Sequence, residues 1–386
     1  MTETTTTTPD LLAEAQRLEA LIDEHAPEGD KQGRLSDPVV DALHDAGLFG
    51  LWVPKALGGS ELDPVSSLKV IDQLVYADPS TGWVTMAAGL AIGTGGAYLG
   101  QQAVDEIFGG ERFPVIAGQG TRPGTAVPAD GGHLLSGSWS FASGIKHSGF
   151  IHTLGVVDGT GEPRIFVLPV EQATLIDNWD VMGLRATGSI DYTIDSVFVP
   201  EHFSHFAVSE SPERGNLYRL GIINIAGICH SGWALGMGRR MLDELRKMAQ
   251  AKAGRPGQIA ENPSFHENFA RVEGLYRAAR ALIFETWGDV TQTIESGEGL
   301  SVDQNTNIRL GTIHVTQAAH EVTKFVYASS GTTGLREGTI QRYFRDMHAG
   351  TQHVIPSLPI QQSVGRKLAG LAEGKTWQFL ELVDPA

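Results

Sequence analysis

Apolar residues recur at helical spacing in both end regions of the chain. The segments LLAEAQRLEALIDEH, from Leu11, and PVVDALHDAGLFGLW, from Pro38, place an apolar residue every three or four positions, which predicts amphipathic helices. The same spacing returns after about Asn216 and continues to Leu382, with interruptions at GRPGQIAENP and SGEGLS. The pattern therefore predicts a helical domain at each end.

The middle of the chain has a different period. Short runs such as HLLSGSWSFASG, PRIFVLPV and YTIDSVFVP alternate apolar and polar residues and are separated by Gly, Pro and Asp, which predicts seven or eight strands in a small β-barrel or sandwich. We expect an α+β multidomain protein with a disordered tail at 1–10, helices at 11–112, a β-domain at 113–205 and a helical bundle at 206–386. Helices and strands are segregated, and no GxGxxG follows a strand, so we expect no pyridine-nucleotide site.

Composition and charge narrow the class of partner. The chain has 386 residues, and 29 basic against 45 acidic residues give a net charge of -16, which argues against nucleic acid or an anionic membrane as partner. The single cysteine, Cys229, lies in an apolar run and predicts a buried thiol without an intrachain disulfide. The threonine-rich start lacks the order of a signal peptide, so we expect a cytoplasmic enzyme of small molecules.

Two segments about forty residues apart combine strand-like alternation with hydroxyls. GSWSFASG ends at Gly144, which follows Ser143, and GLRATGS contains Arg185, Thr187 and Ser189. Such hydroxyls and backbone amides suit a flat, uncharged ligand that forms hydrogen bonds, such as a flavin ring. Each residue also has a plain structural interpretation, because Ser143, Thr187 and Ser189 could satisfy turns and Arg185 could form an ordinary salt bridge.

Four motifs, in order along the chain, resemble the acyl-CoA dehydrogenase fold. These are ALHDAGLFGLWVPKALGGSELDP, WSFASG, GLRATGS with its strand ending in VFVPE, and RYFRDMHAGTQH. The WSFASG motif resembles the flavin-dependent monooxygenase branch of that fold. The resemblance implies FMNH2 or FADH2 supplied by a separate flavin reductase, O2 as co-substrate, oxygen transfer through a flavin C4a-hydroperoxide and a homotetramer.

The resemblance also implies roles for individual residues. Ser143 would bind the flavin near N5, and His353 would face the ring, where an imidazole with a pKa near ~6.5 could exchange a proton at neutral pH. His348 lies five residues earlier, too far round a regular helix to point at the same place, so we rank it lower. One of Trp139 and Phe141 would pack on the ring, or both would fill the core of the β-domain.

Further residues are implied along the cofactor. Arg185, Thr187 and Ser189 would lie beside the flavin and the substrate. The turn containing Ser330, Gly331 and Thr332 resembles the one through which a neighbouring subunit reaches the flavin tail, with Arg255 or Arg342 as a charge partner. Such turns also connect helices without any ligand.

Residue types that are absent from family positions bear on the substrate and on the alternative functions. Val354 and Tyr218 occupy the positions where dehydrogenases of this fold carry a glutamate base. No histidine follows the Gly82-Trp83 pair, and the segment there is small and apolar, so we expect an uncharged aromatic or heteroaromatic substrate, indole-like or polycyclic. The alternatives are an N-oxygenase or nitrososynthase, an acyl-CoA dehydrogenase, and a flavin-binding protein without catalysis. We expect no metal, because the 13 histidines form neither HxH nor HExxH.

Overall fold

The computed structural model describes residues 10–209 and 214–385. Its first domain is helical, with α1 Leu11–Gln32, α2 Asp37–Asp45, α3 Pro64–Ala77, α4 Pro79–Tyr98 and α5 Gln101–Phe108. Of the predicted disordered tail at 1–10, residues 1–9 lie outside the described residues. Asp10 caps α1, because its carboxylate accepts hydrogen bonds from the backbone of Leu12 and Ala13.

The predicted β-domain follows as one mixed sheet of seven strands. The strands are β1 Ile116–Ala129, β2 Gly132–Trp139, β3 Phe150–Val157, β4 Pro163–Pro169, β5 Thr174–Ile176, β6 Asp191–Pro200 and β7 Ser204–Phe206. Their order is β5-β6-β2-β1-β3-β4-β7, so β5 and β7 form the edges of the sheet. Strand β1 pairs antiparallel with β2 and parallel with β3, with an irregularity between Gln119 and Gly124.

The predicted C-terminal bundle follows and ends in a small hairpin. Its elements are α6 Gly221–Ala251, α7 Pro263–Glu295, α8 Val302–Ser330, α9 Thr332–Leu335, α10 Thr339–Gly350, α11 Leu358–Leu368, and the paired strands β8 Thr376–Gln378 and β9 Glu381–Val383. By length and composition, Asn216–Ala251 could cross a membrane, but 89% of its most apolar window is buried inside the molecule. It is therefore the central helix of the core, and the expected α+β class is confirmed.

Close helix packing brings the N-terminal and C-terminal domains together. A Cβ added to Gly236 on α6 would lie 2.5 Å from the carbonyl oxygen of Asp72 on α3. One added to Gly232 would lie 2.9 Å from Ile71. Only glycine fits at this distance, so the backbone of α6 packs directly on α3. This packing places α4 and α6 beside each other, facing the sheet.

Candidate active site

A cavity of about 960 Å³ lies where the sheet meets α4, α6 and the end of α10. Its volume is that of a pocket for a large organic ligand. The wall formed by α4 is small and apolar, as predicted for the segment after Trp83, and α6 adds further aliphatic side chains. The aliphatic residues of these two helices are Met86, Ala87, Leu90, Ala91, Ile222, Ile223 and Ala226.

The two hydroxyl-bearing segments meet at this cavity. The backbone N–H of Ala142 donates to the oxygen of Ile190 at 3.2 Å, and that of Gly144 donates to the oxygen of Thr187 at 2.9 Å. Gly144 has φ 82°, and a Cβ there would lie 3.0 Å from Val84, so this position favours glycine for both reasons. Segments forty residues apart in sequence thus form one wall.

A buried chain of hydroxyls runs along that wall. Trp83 Nε1 donates to Ser143 Oγ at 3.1 Å, and Ser143 Oγ lies 2.7 Å from Ser189 Oγ. Ser189 Oγ lies 2.6 Å from Thr187 Oγ1, which donates to the oxygen of Leu184 at 2.7 Å. Thr187 therefore caps a turn and also lines the cavity. The three predicted hydroxyl residues form one connected hydrogen-bonded group.

Asp346 on α10 anchors the turn that carries these hydroxyls. Leu184 has φ 54°, and its N–H donates to Asp346 Oδ1 at 2.6 Å. Asp346 is fully buried, and its Oδ2 has no hydrogen-bond partner among the described residues. Burial, and then the nearby charge of Asp78, raise the pKa of Asp346 to about 7, although the bond from Leu184 opposes this shift.

His353 lies in the same cavity as Ser143, as predicted, but in a different protonation state. Its ring stacks on that of His230 at 4.1 Å and meets the edge of Trp83 at 5.6 Å. Enclosure lowers the pKa of His353 to about 4, so the ring is neutral at pH 7. The N–H of Ile355 donates to Nδ1 at 3.3 Å, which leaves the proton on Nε2. The neutral ring therefore has a hydrogen-bond donor at Nε2, whereas the expected proton exchange needs a ring that titrates near neutral pH.

His348 also lines the cavity, contrary to the helix-spacing expectation. The expectation assumes one continuous helix through both histidines. Helix α10 ends at Gly350, so His353 lies beyond the helix and its direction is not set by the helical spacing. His348 Nδ1 lies 2.7 Å from the oxygen of Phe344, and its Nε2 lies 3.2 Å from Nε2 of His320. A second histidine pair, from α8 and α10, thus borders the site.

The aromatic pair of the first motif divides between the cavity and the core. Phe141 lines the cavity with 64% of its surface exposed, and its ring meets the edge of Trp179 at 6.2 Å. Trp139 is fully buried in the sheet, where it stacks on Tyr192 at 5.4 Å. Strand β2 ends at Trp139, and Phe141 has φ 70°, so the strand alternation that would place both rings on one face does not continue to Phe141. A flavin contact for Trp139 is therefore not supported. Arg185 is exposed and is not among the lining residues.

The predicted phosphate turn lies outside the cavity of this chain. Ser330 Oγ donates to the oxygen of Tyr327 at 2.8 Å. Gly331, between α8 and α9, and Thr332, the first residue of α9, are exposed. Arg342 is buried and lies 3.5 Å from Asp78, so it does not serve as a charge partner for this turn. Arg255 is exposed. The contact of this turn with a neighbouring subunit stays a prediction.

Two acyl-CoA dehydrogenase family models match this chain. Residues 11–106 match the model of the acyl-CoA dehydrogenase N-terminal domain, and residues 228–357 match an acyl-CoA dehydrogenase C-terminal domain; together the matches span more than half of the chain. The chain belongs to the acyl-CoA dehydrogenase family. The resemblance inferred from the four motifs is confirmed.

Relatives in this family that resemble the chain over nearly its full length are monooxygenases. The indole-3-acetate monooxygenase of Pseudomonas putida is 29% identical, over 93% of this chain and 95% of the relative. The flavin-dependent monooxygenase oxygenase subunit HsaA of Rhodococcus jostii is 29% identical over 88% and 93%. The crystal structure of a 3-HSA hydroxylase from Rhodococcus sp. RHA1 superposes with a TM-score of 0.89, at 26% identity, covering 96% and 99%. The predicted membership of the flavin-dependent monooxygenase branch is confirmed.

The chemistry of the acyl-CoA dehydrogenases themselves lacks its base in this chain. Val354 lines the cavity at the position predicted for one glutamate, and Tyr218 is buried with its hydroxyl donating to the oxygen of Trp52 at 2.8 Å. In the part of the chain that the structure describes, no aspartate or glutamate lines the cavity. Removal of an α-proton by a carboxylate is therefore not available here.

The sequence motifs do not identify several of the residues that line the cavity. One is Trp83, whose indole N–H donates to Ser143 and whose ring contacts His353. His230, from the CHSGW run, and His320 pair with other histidines that are distant in sequence. The GW dipeptide offered a signal for Trp83. The histidine pairs had none, because each pairing depends on helix packing.

Proposed function

We propose that this chain is the oxygenase component of a two-component flavin-dependent monooxygenase that hydroxylates an aromatic or heteroaromatic small molecule. One observation carries the proposal: Ser143 and the neutral His353 share a cavity and both contact Trp83, and no carboxylate of residues 10–209 or 214–385 lines that cavity. The monooxygenases among its relatives support the reaction class. The indole ring in the name of the Pseudomonas putida relative's substrate matches the indole-like ring expected from the small apolar wall, but indole-3-acetate also carries a carboxylate, which the expected uncharged substrate lacks.

The residues present fit a flavin. Ser143, Thr187 and Ser189 offer hydroxyls, and the backbone of Gly118 and Gly120 on β1 lines the same cavity, so these groups would hold the edge of a flat heterocycle. When bound, a reduced flavin supplies the two electrons with which one atom of O2 enters the product and the other becomes water. Neutral His353 would donate a hydrogen bond from Nε2.

Buried aromatic rings form one side of this space. The ring of Trp83 meets those of Trp233 and His230 edge to face, each at 5.2 Å, and all three residues are buried. A dry pocket strengthens each hydrogen bond formed in it and suppresses the reaction of activated oxygen with water. This aromatic cluster would therefore favour transfer of oxygen to the substrate.

The reduced flavin would come from a separate reductase, in a cytoplasmic homotetramer. A 25% identical relative, from Rhizobium, is named an FADH2-dependent resorcinol hydroxylase, oxygenase component, and a component of this kind works with a second protein. The choice between FMNH2 and FADH2 is part of the same test. In a tetramer, the turn at Ser330–Thr332 and the exposed Arg185 would lie near a cofactor bound by another subunit.

The test supplies the chain with photoreduced FMN or FAD, an indole and 18O2. We expect a product that carries one 18O atom, and loss of most product in Ser143→Ala. Ser148→Ala is the matched control, because Ser148 donates only to the oxygen of Ile145 and does not line the cavity. Reoxidation of both flavins without labelled product, across a panel of aromatic substrates, would refute the proposal.

Amine oxygenation receives less support from the site. An ammonium group in a partly desolvated pocket needs an anion beside it. Among the described residues the cavity offers none, so the geometry favours carbon oxygenation over the N-oxygenase alternative.

A further inference from the structure

The hydroxyl chain beside the cavity has a fixed direction. The oxygen of Leu184 can only accept, so Thr187 must use its one hydroxyl proton there. Ser189 must then donate to Thr187, and Ser143 must donate to Ser189. Trp83 Nε1 can only donate, and it donates to Ser143. Every proton in the chain is therefore committed to a bond inside the protein.

This accounting decides what Ser143 offers to a ligand. A hydroxyl oxygen has one proton and two lone pairs. The proton of Ser143 is directed at Ser189, and one lone pair accepts from Trp83. The group left for the cavity is a single lone pair, which favours a ligand atom that donates a hydrogen bond.

We propose that Ser189 and Thr187 are positioning residues that hold Ser143 as a hydrogen-bond acceptor, so that the site prefers reduced over oxidised flavin. This inference rests on the proposed flavin dependence. The N5 atom of a reduced flavin carries a proton and donates, whereas N5 of an oxidised flavin has only a lone pair and accepts. An acceptor at Ser143 stabilises the first form and repels the second.

The inference is tested by binding, without turnover. Oxidised FMN and FAD are titrated by fluorescence, and the reduced forms anaerobically, against wild type, Ser189→Ala and Thr187→Val. Ser189→Ala removes the acceptor of the Ser143 proton, and Thr187→Val removes the acceptor of the Ser189 proton, so that Ser189 can donate to Ser143 instead. In either variant Ser143 can turn its proton to the ligand. We expect the ratio of Kd for oxidised flavin to Kd for reduced flavin to fall about tenfold, as for gain or loss of one hydrogen bond.

Conservative controls separate direction from packing. Thr187→Ser keeps the hydroxyl and should keep the ratio of the wild type, and Ser148→Ala should do the same. A ratio that is unchanged in both Ser189→Ala and Thr187→Val, with unaltered melting curves, would overturn the inference even though flavin binds. Failure of the wild type to bind either flavin would overturn the proposed function as well.

A second observation concerns charge. Arg122, on β1, is the only lysine or arginine lining the cavity in the described part of the chain. Its backbone N–H donates to Gln119 Oε1 at 2.8 Å, but its guanidinium forms no ion pair with a described residue. Burial keeps His152, His230 and His353 neutral. Among the lining residues that the structure describes, Arg122 thus carries the only permanent charge.

We infer that Arg122 binds the carboxylate of an aromatic acid, a substrate class that rests on the proposed oxygenase function. The protein as a whole carries a net charge of -16, so an anion needs a local cation to be held in this cavity. A guanidinium pairs with a carboxylate through two parallel hydrogen bonds. The inference departs from the uncharged substrate expected from the sequence.

The test compares indole-3-acetate with 3-methylindole, which has the same ring without the carboxylate. In Arg122→Gln we expect the calorimetric Kd and the KM for indole-3-acetate to rise about ten- to a hundredfold, as for loss of a charged hydrogen bond. The values for 3-methylindole should stay within about twofold, and Arg122→Lys should recover part of the loss.

Three outcomes would contradict this inference. Equal effects on both ligands would remove the role of the carboxylate. Weaker binding of FMN with unchanged binding of riboflavin would assign Arg122 to the flavin phosphate. If the wild type oxygenates neither indole-3-acetate nor 3-methylindole nor any other aromatic compound tested, the proposed function itself fails.

Discussion

At the scale of single residues, the site depends on groups whose ordinary chemistry is changed by burial. His353 is neutral because enclosure lowers its pKa to about 4. Asp346 shows the opposite shift for the same reason, because burial disfavours its charged form and raises its pKa to about 7. The first group gains a defined donor atom for the cavity. Asp346 holds Leu184 in place, and with it the turn that carries Thr187 and Ser189.

Asp346 should make the folded state less stable as pH rises. Folding raises the pKa of Asp346 from 3.8 to about 7, so the unfolded chain releases this proton at a lower pH than the folded protein does. The free energy of unfolding should therefore fall between about pH 4 and pH 7. Asp346→Asn keeps an oxygen for Leu184 and should remove this slope, worth on the order of a few kcal/mol.

Chemical denaturation of the two proteins at pH 5 and pH 8 measures the effect. Relative to wild type, the variant should gain stability at pH 8 compared with pH 5. Asp303→Asn serves as the control, because that carboxylate is on the surface. Parallel stability curves for wild type and Asp346→Asn would contradict the prediction.

At the scale of elements, the C-terminal hairpin completes the cavity from far along the chain. Buried Arg309 on α8 donates to the oxygen of Phe379 at 2.7 Å and stacks over Trp377 at 4.4 Å. Trp377 donates to Thr306 at 2.8 Å. These contacts hold Phe379, which has φ 54°, as part of the cavity wall.

Removal of the Phe379 side chain should open the cavity to water. In Phe379→Ala we expect a severalfold higher KM for small aromatic substrates and a larger fraction of consumed oxygen released as hydrogen peroxide. An oxygen electrode with catalase quantifies that fraction. Phe206→Ala is the control, because Phe206 is exposed and does not line the cavity. An unchanged peroxide fraction in Phe379→Ala would mean that the hairpin does not seal the site.

At the scale of the whole molecule, Arg345 links all three domains. From α10, its guanidinium donates to Asp30 Oδ2 on α1 at 2.8 Å and to the oxygen of Met182, in the segment between β5 and β6, at 2.8 Å. Both members of the ion pair are mostly buried, with side-chain exposures of 16%. Loss of the Arg345 guanidinium would leave the Asp30 carboxylate unpaired in a poorly hydrated place.

Arg345→Met should therefore lower stability far more than loss of a surface ion pair. We expect a decrease of about 2–4 kcal/mol in the free energy of unfolding. Lys324→Met breaks an exposed pair with Glu321 and should cost less than about 1 kcal/mol. Urea denaturation of the three proteins makes the comparison. Equal effects of the two substitutions would show that Arg345 does not hold the domains together.

The order of the domains and the hydroxyl-bearing residues of the site follow from the sequence by itself. Periods of two and of three to four residues are local, so they locate the sheet and both helical domains without knowledge of packing. Ser143, Thr187 and Ser189 can likewise be found from the sequence, because each belongs to a short local motif. Trp139 shows the limit, because the alternation of its strand does not say which face meets a ligand.

Only the tertiary structure decided how the site works. The pairs Trp83 with Ser143, His230 with His353, and His320 with His348 join residues from elements that are far apart in sequence. The direction of the hydroxyl chain depends on Leu184, which α10 holds through Asp346. Protonation state and hydrogen-bond direction arise from enclosure by several elements at once, and no single segment of sequence contains that enclosure.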